Sequence, residues 1–164
     1  QSRFCGTGSI NAIEKELVLK KYKIRNYMIM PYHENETYDV DCLAEKGELK
    51  LCIPRLRIYK NPLSPINEGC QITNRKIINN YCSKILKKLK IDSICDFDIV
   101  IRADKKPQIL DVGCRLSGSS TASLPIGINV PYNLIKILTK KKLDKINIDK
   151  DRLVFPKSRY ELVR

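Results

Sequence analysis

The sequence predicts an α+β domain in which a mostly antiparallel mixed sheet carries helices packed on one face. Three observations predict it: a strongly amphipathic helical segment over 73–90, short strand-like runs on both sides of it, and a composition able to fill a core. With 164 residues, 43% apolar and 30% charged, the chain is long enough for one domain. Its seven glycines and eight prolines are too few for a low-complexity or collagen-like polymer. No apolar run approaches the ~20 residues that a membrane helix needs. The opening residues hold no signal-peptide core and no initiator methionine, so a processed or excised piece is expected.

The helix over 73–90 places Ile77, Ile78, Tyr81, Cys82, Ile85, Leu86 and Leu89 on one face. Thr73 is the expected N-cap, and the lysines of the last turn oppose the helix dipole favourably. A second helix is expected over 131–139, opened by Asn129 with Pro131 in its first turn, and a third over 13–21. Strands are expected at 27–31, 37–44, 49–54, 96–102 and 108–113, with one more within 153–163. Glu45-Lys46-Gly47-Glu48 reads as the hairpin turn joining the second and third of these.

Charge and cysteine content narrow the functional classes. The net charge is +13, and the lysines cluster at 84–90 and 136–150. Neither cluster is interleaved with aromatics, and no nucleic-acid module signature is present, so both read as solvated faces and a basic nucleic-acid-binding domain is the third-ranked function. Seven cysteines, an odd number without a Cys-x-x-Cys pair, and a single histidine, His33, argue against a disulfide framework or a Cys/His zinc site. Thiols in apolar surroundings read as small core residues in a reducing cytoplasm. Cys114 reads as a structural thiol, since nothing near it in sequence supplies a base.

The segment 96–114 carries the most chemistry. If residues 103–106 form a four-residue loop between antiparallel strands, Asp98 and Asp111 are equidistant from its centre and directly opposed. Opposed side chains have Cβ atoms ~4.5–5.5 Å apart, where like charges repel. Such a pair requires a cation, a shared proton or an arginine, and a hard divalent ion such as Mg²⁺ is one solution. The alternatives are an Asp turned to solvent, or neutralisation by Arg102 or Arg115. A one-residue register change would send the two to opposite faces. Upstream, Cys5-Gly6-Thr7-Gly8-Ser9 offers free backbone N–H groups and hydroxyls to phosphate oxygens, without being a Walker A loop.

In order, these features resemble the ATP-grasp superfamily, and carbamoyl-phosphate-synthase large-subunit-like members in particular. Gly6-Thr7-Gly8-Ser9 resembles the family's hairpin over the nucleotide phosphates. Met28-Ile29-Met30-Pro31-Tyr32 resembles the adenine-side hinge, and Glu36 to Asp41 the next core strand. Asp98 with Asp111-Val112-Gly113-Cys114-Arg115 resembles the acidic strand pair ending in a Glu-x-Asn-x-Arg-like motif, and Gly127-Ile128-Asn129-Val130-Pro131 resembles the stretch that follows it.

The resemblance implies an ATP- and Mg²⁺-dependent carboxylate ligase acting through an acyl phosphate. Asp98 and Asp111 take the metal positions and Arg115 the catalytic, acyl-phosphate position. Gly6, Thr7, Gly8 and Ser9 hold phosphates, Met30, Pro31 and Tyr32 line the adenine, and Arg55 or Arg57 adds a phosphate contact. It also implies that residues 1–164 are a single partial ATP-grasp domain, the C-terminal part, whose partners are nucleotide, a small-molecule carboxylate and the remainder of the parent chain. Three positions depart from the pattern: Gly113 replaces the ligand Asn, Asp111 is shorter than the usual Glu, and Pro31 replaces the hinge carboxylate. These departures support the alternative of a degenerate ATP-grasp-like scaffold without catalysis.

Overall fold

The structure, a computed structural model, describes residues 35–58, 68–144, 148 and 151–155. In chain order the described elements begin with β1 (Thr37–Glu45), β2 (Glu48–Ile58), β3 (Gly69–Ile72) and α1 (Lys76–Leu89). β4 (Ser93–Ile101), β5 (Pro107–Gly113), a 3-10 helix (Ser120–Ile126), α2 (Val130–Leu138) and β6 (Arg152–Val154) follow. The six strands form one sheet in the order β5-β4-β1-β2-β3-β6, and every pair is antiparallel. The α+β class with an antiparallel sheet is as the sequence predicts. The expected helix at 13–21, the strand at 27–31, the Gly6–Ser9 loop, the Met30–Tyr32 hinge and His33 lie outside the described residues.

Strand alternation sorts β1 into two faces. Tyr38, Val40, Cys42 and Ala44 join Cys95, Phe97, Ile99 and Ile101 of β4 beneath Ile78, Cys82 and Leu86 of α1. Leu43 points the other way and packs with Leu51, Ile53, Cys70, Ile72, Ile128 and Val130. Helices therefore cover both faces: α1 takes the one that the periodicity of 73–90 predicts, and α2 takes the other, a correction to helices on one face alone. The reason lies in α2 itself, whose Leu134 and Ile137 face the second cluster while Ile135 and Leu138 stay exposed.

Several local features follow from single residues. The β1–β2 connection is the expected two-residue hairpin, with Lys46 at φ 52 and Gly47 at φ 79, a conformation that glycine adopts without strain. A Cβ on Gly47 would also lie 3.2 Å from the Leu86 carbonyl oxygen, because the turn docks on the end of α1. Thr73 does not cap α1. The helix starts after Arg75 without a side-chain cap, and the Thr73 N–H is taken by the Pro54 carbonyl instead. Asn129 does cap α2, accepting from the Tyr132 N–H at 2.9 Å. The lysines of 84–90 are exposed, as are Lys140, Lys141 and Lys142, in keeping with solvated faces. Among the described residues no helix is long and apolar enough to cross a membrane.

Leu86 is fully buried at the sheet–helix contact, whereas Leu89, one turn on, is 60% exposed. Leu86→Ala is expected to cost about 2–5 kcal/mol in urea unfolding through transfer and cavity effects. Leu89→Ala is expected to cost less than about 1 kcal/mol.

Candidate functional site

The sheet face turned away from α1 carries charge beside its apolar cluster. In register, Asp39 of β1 lies between Arg55 of β2 and Asp98 of β4, and Asp98 lies opposite Asp111 of β5. Two residues along, Asp41 lies opposite Asp96, which lies opposite Gly113. Five aspartates thus share one face of three adjacent strands, a concentration of negative charge that must be neutralised.

The Asp98–Asp111 pairing arises differently from the four-residue loop that predicts it. The loop is the shorter 103–105, with Lys105 at φ 64 and Arg102 N–H donating to the Lys106 carbonyl at 2.9 Å. That centre alone would place Leu110 opposite Asp98. A bulge between the Asp98–Asp111 and Ile99–Ile109 pairs absorbs Leu110 and restores the acidic pairing.

Two arginines of β2 neutralise most of this face. Arg55, fully buried, donates to Asp41 Oδ2 at 2.6 Å and to the Ser117 hydroxyl, while the Ser117 N–H donates to Asp41 Oδ1 at 2.9 Å. Arg57 repeats the arrangement two residues on. Its Nε donates to Asp39 and its Nη2 to Asp98, each at 2.5 Å, and the Ser119 hydroxyl donates to Asp39 at 2.8 Å. Neutralisation of Asp98 therefore comes from Arg57, not from Arg102 or Arg115. Arg102 pairs with Asp104, and Arg115 with Asp96 at 3.3 Å. At Asp39 burial raises the carboxyl, but Arg57 and the Ser119 hydroxyl outweigh it and hold it below the ordinary range. At Asp98 burial prevails over Arg57, and the carboxyl is raised.

Asp96 is the exception to this neutralisation. It is 7% exposed, its Oδ1 is buried without a hydrogen-bond partner, and Arg115 reaches only Oδ2. Burial, then the charges of Asp41, Asp98 and Asp39, push it up to about 7.

The sequence-derived candidates separate clearly. Asp98 and Asp111 pair directly, whereas Arg115 reaches Asp96, two residues before Asp98 on β4. Arg55 is sealed in the interior with Nη1 on Asp41 and Nη2 on Ser117, which removes it as a phosphate contact and leaves Arg57 of the two. Arg115, 67% exposed, is anchored by Asp96 and the Leu116 carbonyl. Cys114 is exposed. Gly6, Thr7, Gly8, Ser9, Met30, Pro31 and Tyr32 lie outside the described residues.

The residues present fit a hard divalent ion. The Asp111 side chain is exposed, and Asp96 Oδ1 is a second carboxylate oxygen, buried without a hydrogen-bond partner. Gly113 leaves space there: a Cβ would meet Arg115 Cγ at 3.6 Å and Asp96 Cβ at 3.7 Å, ordinary contacts.

Sequence reasoning missed Asp39, Asp41, Asp96, Ser117 and Ser119 as members of this face. The signal was available in the matched spacings Asp39-x-Asp41, Arg55-x-Arg57 and Ser117-x-Ser119, each of which keeps two side chains on one side of an extended segment.

A family model described as ATP-grasp in the biosynthetic pathway with Ter operon matches residues 23–157. The chain belongs to this ATP-grasp family. Among curated proteins, none matches it in sequence. Its fold is similar to that of an L-amino acid ligase from Bacillus licheniformis, at TM-score 0.52 and 14% identity over 64% of this chain and 29% of that one. It is also similar to a phosphoribosylglycinamide synthetase from Anaerococcus prevotii, at TM-score 0.52 and 12% identity over 67% of this chain and 30% of that one. The ATP-grasp chain thus spans about a third of the length of these structures, and the likeness is one of fold.

The Asp96 environment sets a pH dependence whose sign is fixed. Its folded value near 7 lies above the unfolded value of 3.8. Between those values the folded chain holds a proton that the unfolded chain has released, so this group's contribution to stability falls as pH rises from about 4 to 7 and is constant above. Urea midpoints across that range, without added metal, are expected to decline less with pH in Asp96→Asn than in the unmodified chain.

Proposed function

We propose that this chain forms part of the catalytic core of an ATP-dependent carboxylate ligase. In that reaction a substrate carboxylate oxygen attacks the γ-phosphorus of ATP and ADP leaves. An amine or similar nucleophile then attacks the acyl carbon of the acyl phosphate and phosphate leaves. The observation that carries the reading is the direct pairing of Asp98 with Asp111 at one end of an otherwise arginine-neutralised face, with Arg115 two residues beyond Gly113. Family membership supports the nucleotide, and the names of the two fold neighbours, a ligase and a synthetase, support bond-forming chemistry.

Each residue has a stated part in this reading. Asp98 and Asp111 hold Mg²⁺, which when bound offsets the charge of the phosphoryl oxygens. Arg115 meets the charge that develops on the transferring group, its Nη1 donating to the Leu116 carbonyl and Asp96. Arg57 partly offsets the burial that raises the Asp98 carboxyl and fixes the direction of its Oδ1. Gly6, Thr7, Gly8 and Ser9 cover the phosphates and Met30, Pro31 and Tyr32 the adenine, in a setting of the carbamoyl-phosphate-synthase large-subunit type. The remainder of the parent chain supplies the acceptor site.

Gly113 favours a second reading, a nucleotide-free scaffold, because the motif's Asn oxygen is missing there. Calorimetric titration of the full-length protein with Mg·ATP separates the two. Micromolar binding supports the ligase, and no heat at millimolar nucleotide supports the scaffold.

With a carboxylate substrate pool, Mg·ATP and hydroxylamine, the full-length protein is expected to release ADP and form hydroxamate from the trapped acyl phosphate. Asp111→Asn and Arg115→Ala are each expected to lower that rate about a hundredfold or more. Unchanged hydroxamate formation in Asp111→Asn would remove this residue from the metal site.

A further inference from the structure

On the sheet face opposite the acidic site, three thiols converge from three elements. Cys42 of β1 lies directly across from Cys52 of β2, with their Sγ atoms 3.7 Å apart. Cys82 of α1 sits above the strand pair, between the buried Ile78 and Leu86 one turn to either side. The three Sγ atoms all lie within 4.8 Å of one another, and among the described residues no other group of three potential metal ligands gathers so closely. Cys95 follows Cys42 in the same cross-strand row, but its thiol is outside this set.

Cys42 and Cys82 are buried, and Cys52, half-buried, is the member of the trio nearest the surface. β3 pairs only with Arg55–Ile58 of β2, so the outer edge of β2 at Cys52 meets no described strand. There a depression of about 320 Å³ is lined by Cys52, Leu49, Leu51, Asn74 and Asn79, and the Asn79 Oδ1 is buried without a partner.

We propose that Cys42, Cys52 and Cys82 form a three-sulfur binding site for a trivalent metalloid hydroxide of the arsenous acid class. Charge decides among soft ions. Three thiolates around a monovalent copper ion carry a net charge of −2 and around zinc −1, which an apolar interior strongly disfavours. Zinc also takes a fourth ligand, and among the described residues no fourth Cys, His, Asp or Glu gathers with this trio. Around a trivalent arsenic centre the same three thiolates are neutral, and three-coordinate pyramidal geometry needs no further donor. The exchange balances without redox change: As(OH)₃ and three thiols give As(SR)₃ and three waters. Three As–O and three S–H bonds break, three As–S bonds form, and each thiol proton leaves on a hydroxyl. The site joins α1 to both strands of the hairpin and is independent of the nucleotide chemistry on the opposite face.

The test uses the full-length reduced protein with arsenite as the probe. One arsenic bound per chain, a raised melting temperature, and an arsenic absorption-edge spectrum with three sulfur neighbours are expected. Cys42→Ser, Cys52→Ser and Cys82→Ser are each expected to weaken binding about tenfold or more, while Cys95→Ser and Cys114→Ser leave it unchanged. The sulfur count on the unmodified protein decides the matter where a core variant fails to fold. Fewer than three sulfurs, loss of binding in Cys95→Ser, or tighter binding of zinc or copper(I) than of arsenite overturns the proposal.

Discussion

The charged side of this domain depends on one buried ion pair, Arg55 with Asp41. Both side chains are completely removed from solvent, and their 2.6 Å contact lies in the middle of the sheet, on the strands that the other four flank. Burying two charges costs several kcal/mol each, so the pair persists only because its remaining polar atoms are also engaged. Asp41 accepts the Ser117 backbone N–H and the Ser117 hydroxyl, and the Arg55 guanidinium reaches that same hydroxyl. Only Arg55 Nε lacks a partner. The pair thus fixes the segment after β5 against β1, and with it the position of Arg115 two residues earlier.

The second set, Arg57 with Asp39, Asp98 and Ser119, repeats the first at a displacement of two residues but sits nearer the surface. Depth divides their work. The inner arginine is wholly structural, whereas the outer one holds a carboxylate that belongs to the candidate metal pair. An arginine fork makes a sound placeholder for a divalent cation, since it neutralises and orients acceptor oxygens without demanding octahedral geometry.

How much of this was legible in sequence depends on whether local periodicity or tertiary packing decides a feature. α1 was legible because its apolar positions repeat with the helical period, and α2 because Asn129 and Pro131 mark its start. β3 was not, since Gly69–Ile72 has four residues and too little alternation to distinguish it from a loop. The 3-10 helix Ser120–Ile126 was missed for a related reason: Pro125 inside it reads as a breaker. The Asp98–Asp111 pairing was legible through two departures that cancel, a shorter loop and the bulged Leu110. The Arg55 assignment failed because burial depth is a tertiary property: two arginines at equivalent spacing on one strand differ only in what packs over them. The thiol trio was hidden because its members are 10 and 30 residues apart in sequence, with no short Cys spacing to reveal them.

Gly113 joins these observations in one physical argument. A residue with a polar side chain at that position would stand opposite Asp96 and beside Arg115, where it could donate to the unpartnered Asp96 oxygen. Glycine leaves that oxygen unsatisfied, and burial beside three other aspartates then makes its ionisation costly. A buried acceptor without a donor is a destabilising feature unless a ligand completes it. The bulge at Leu110 keeps this place next to the Asp98–Asp111 pair, so the unpartnered acceptor and the opposed carboxylates share one end of the face.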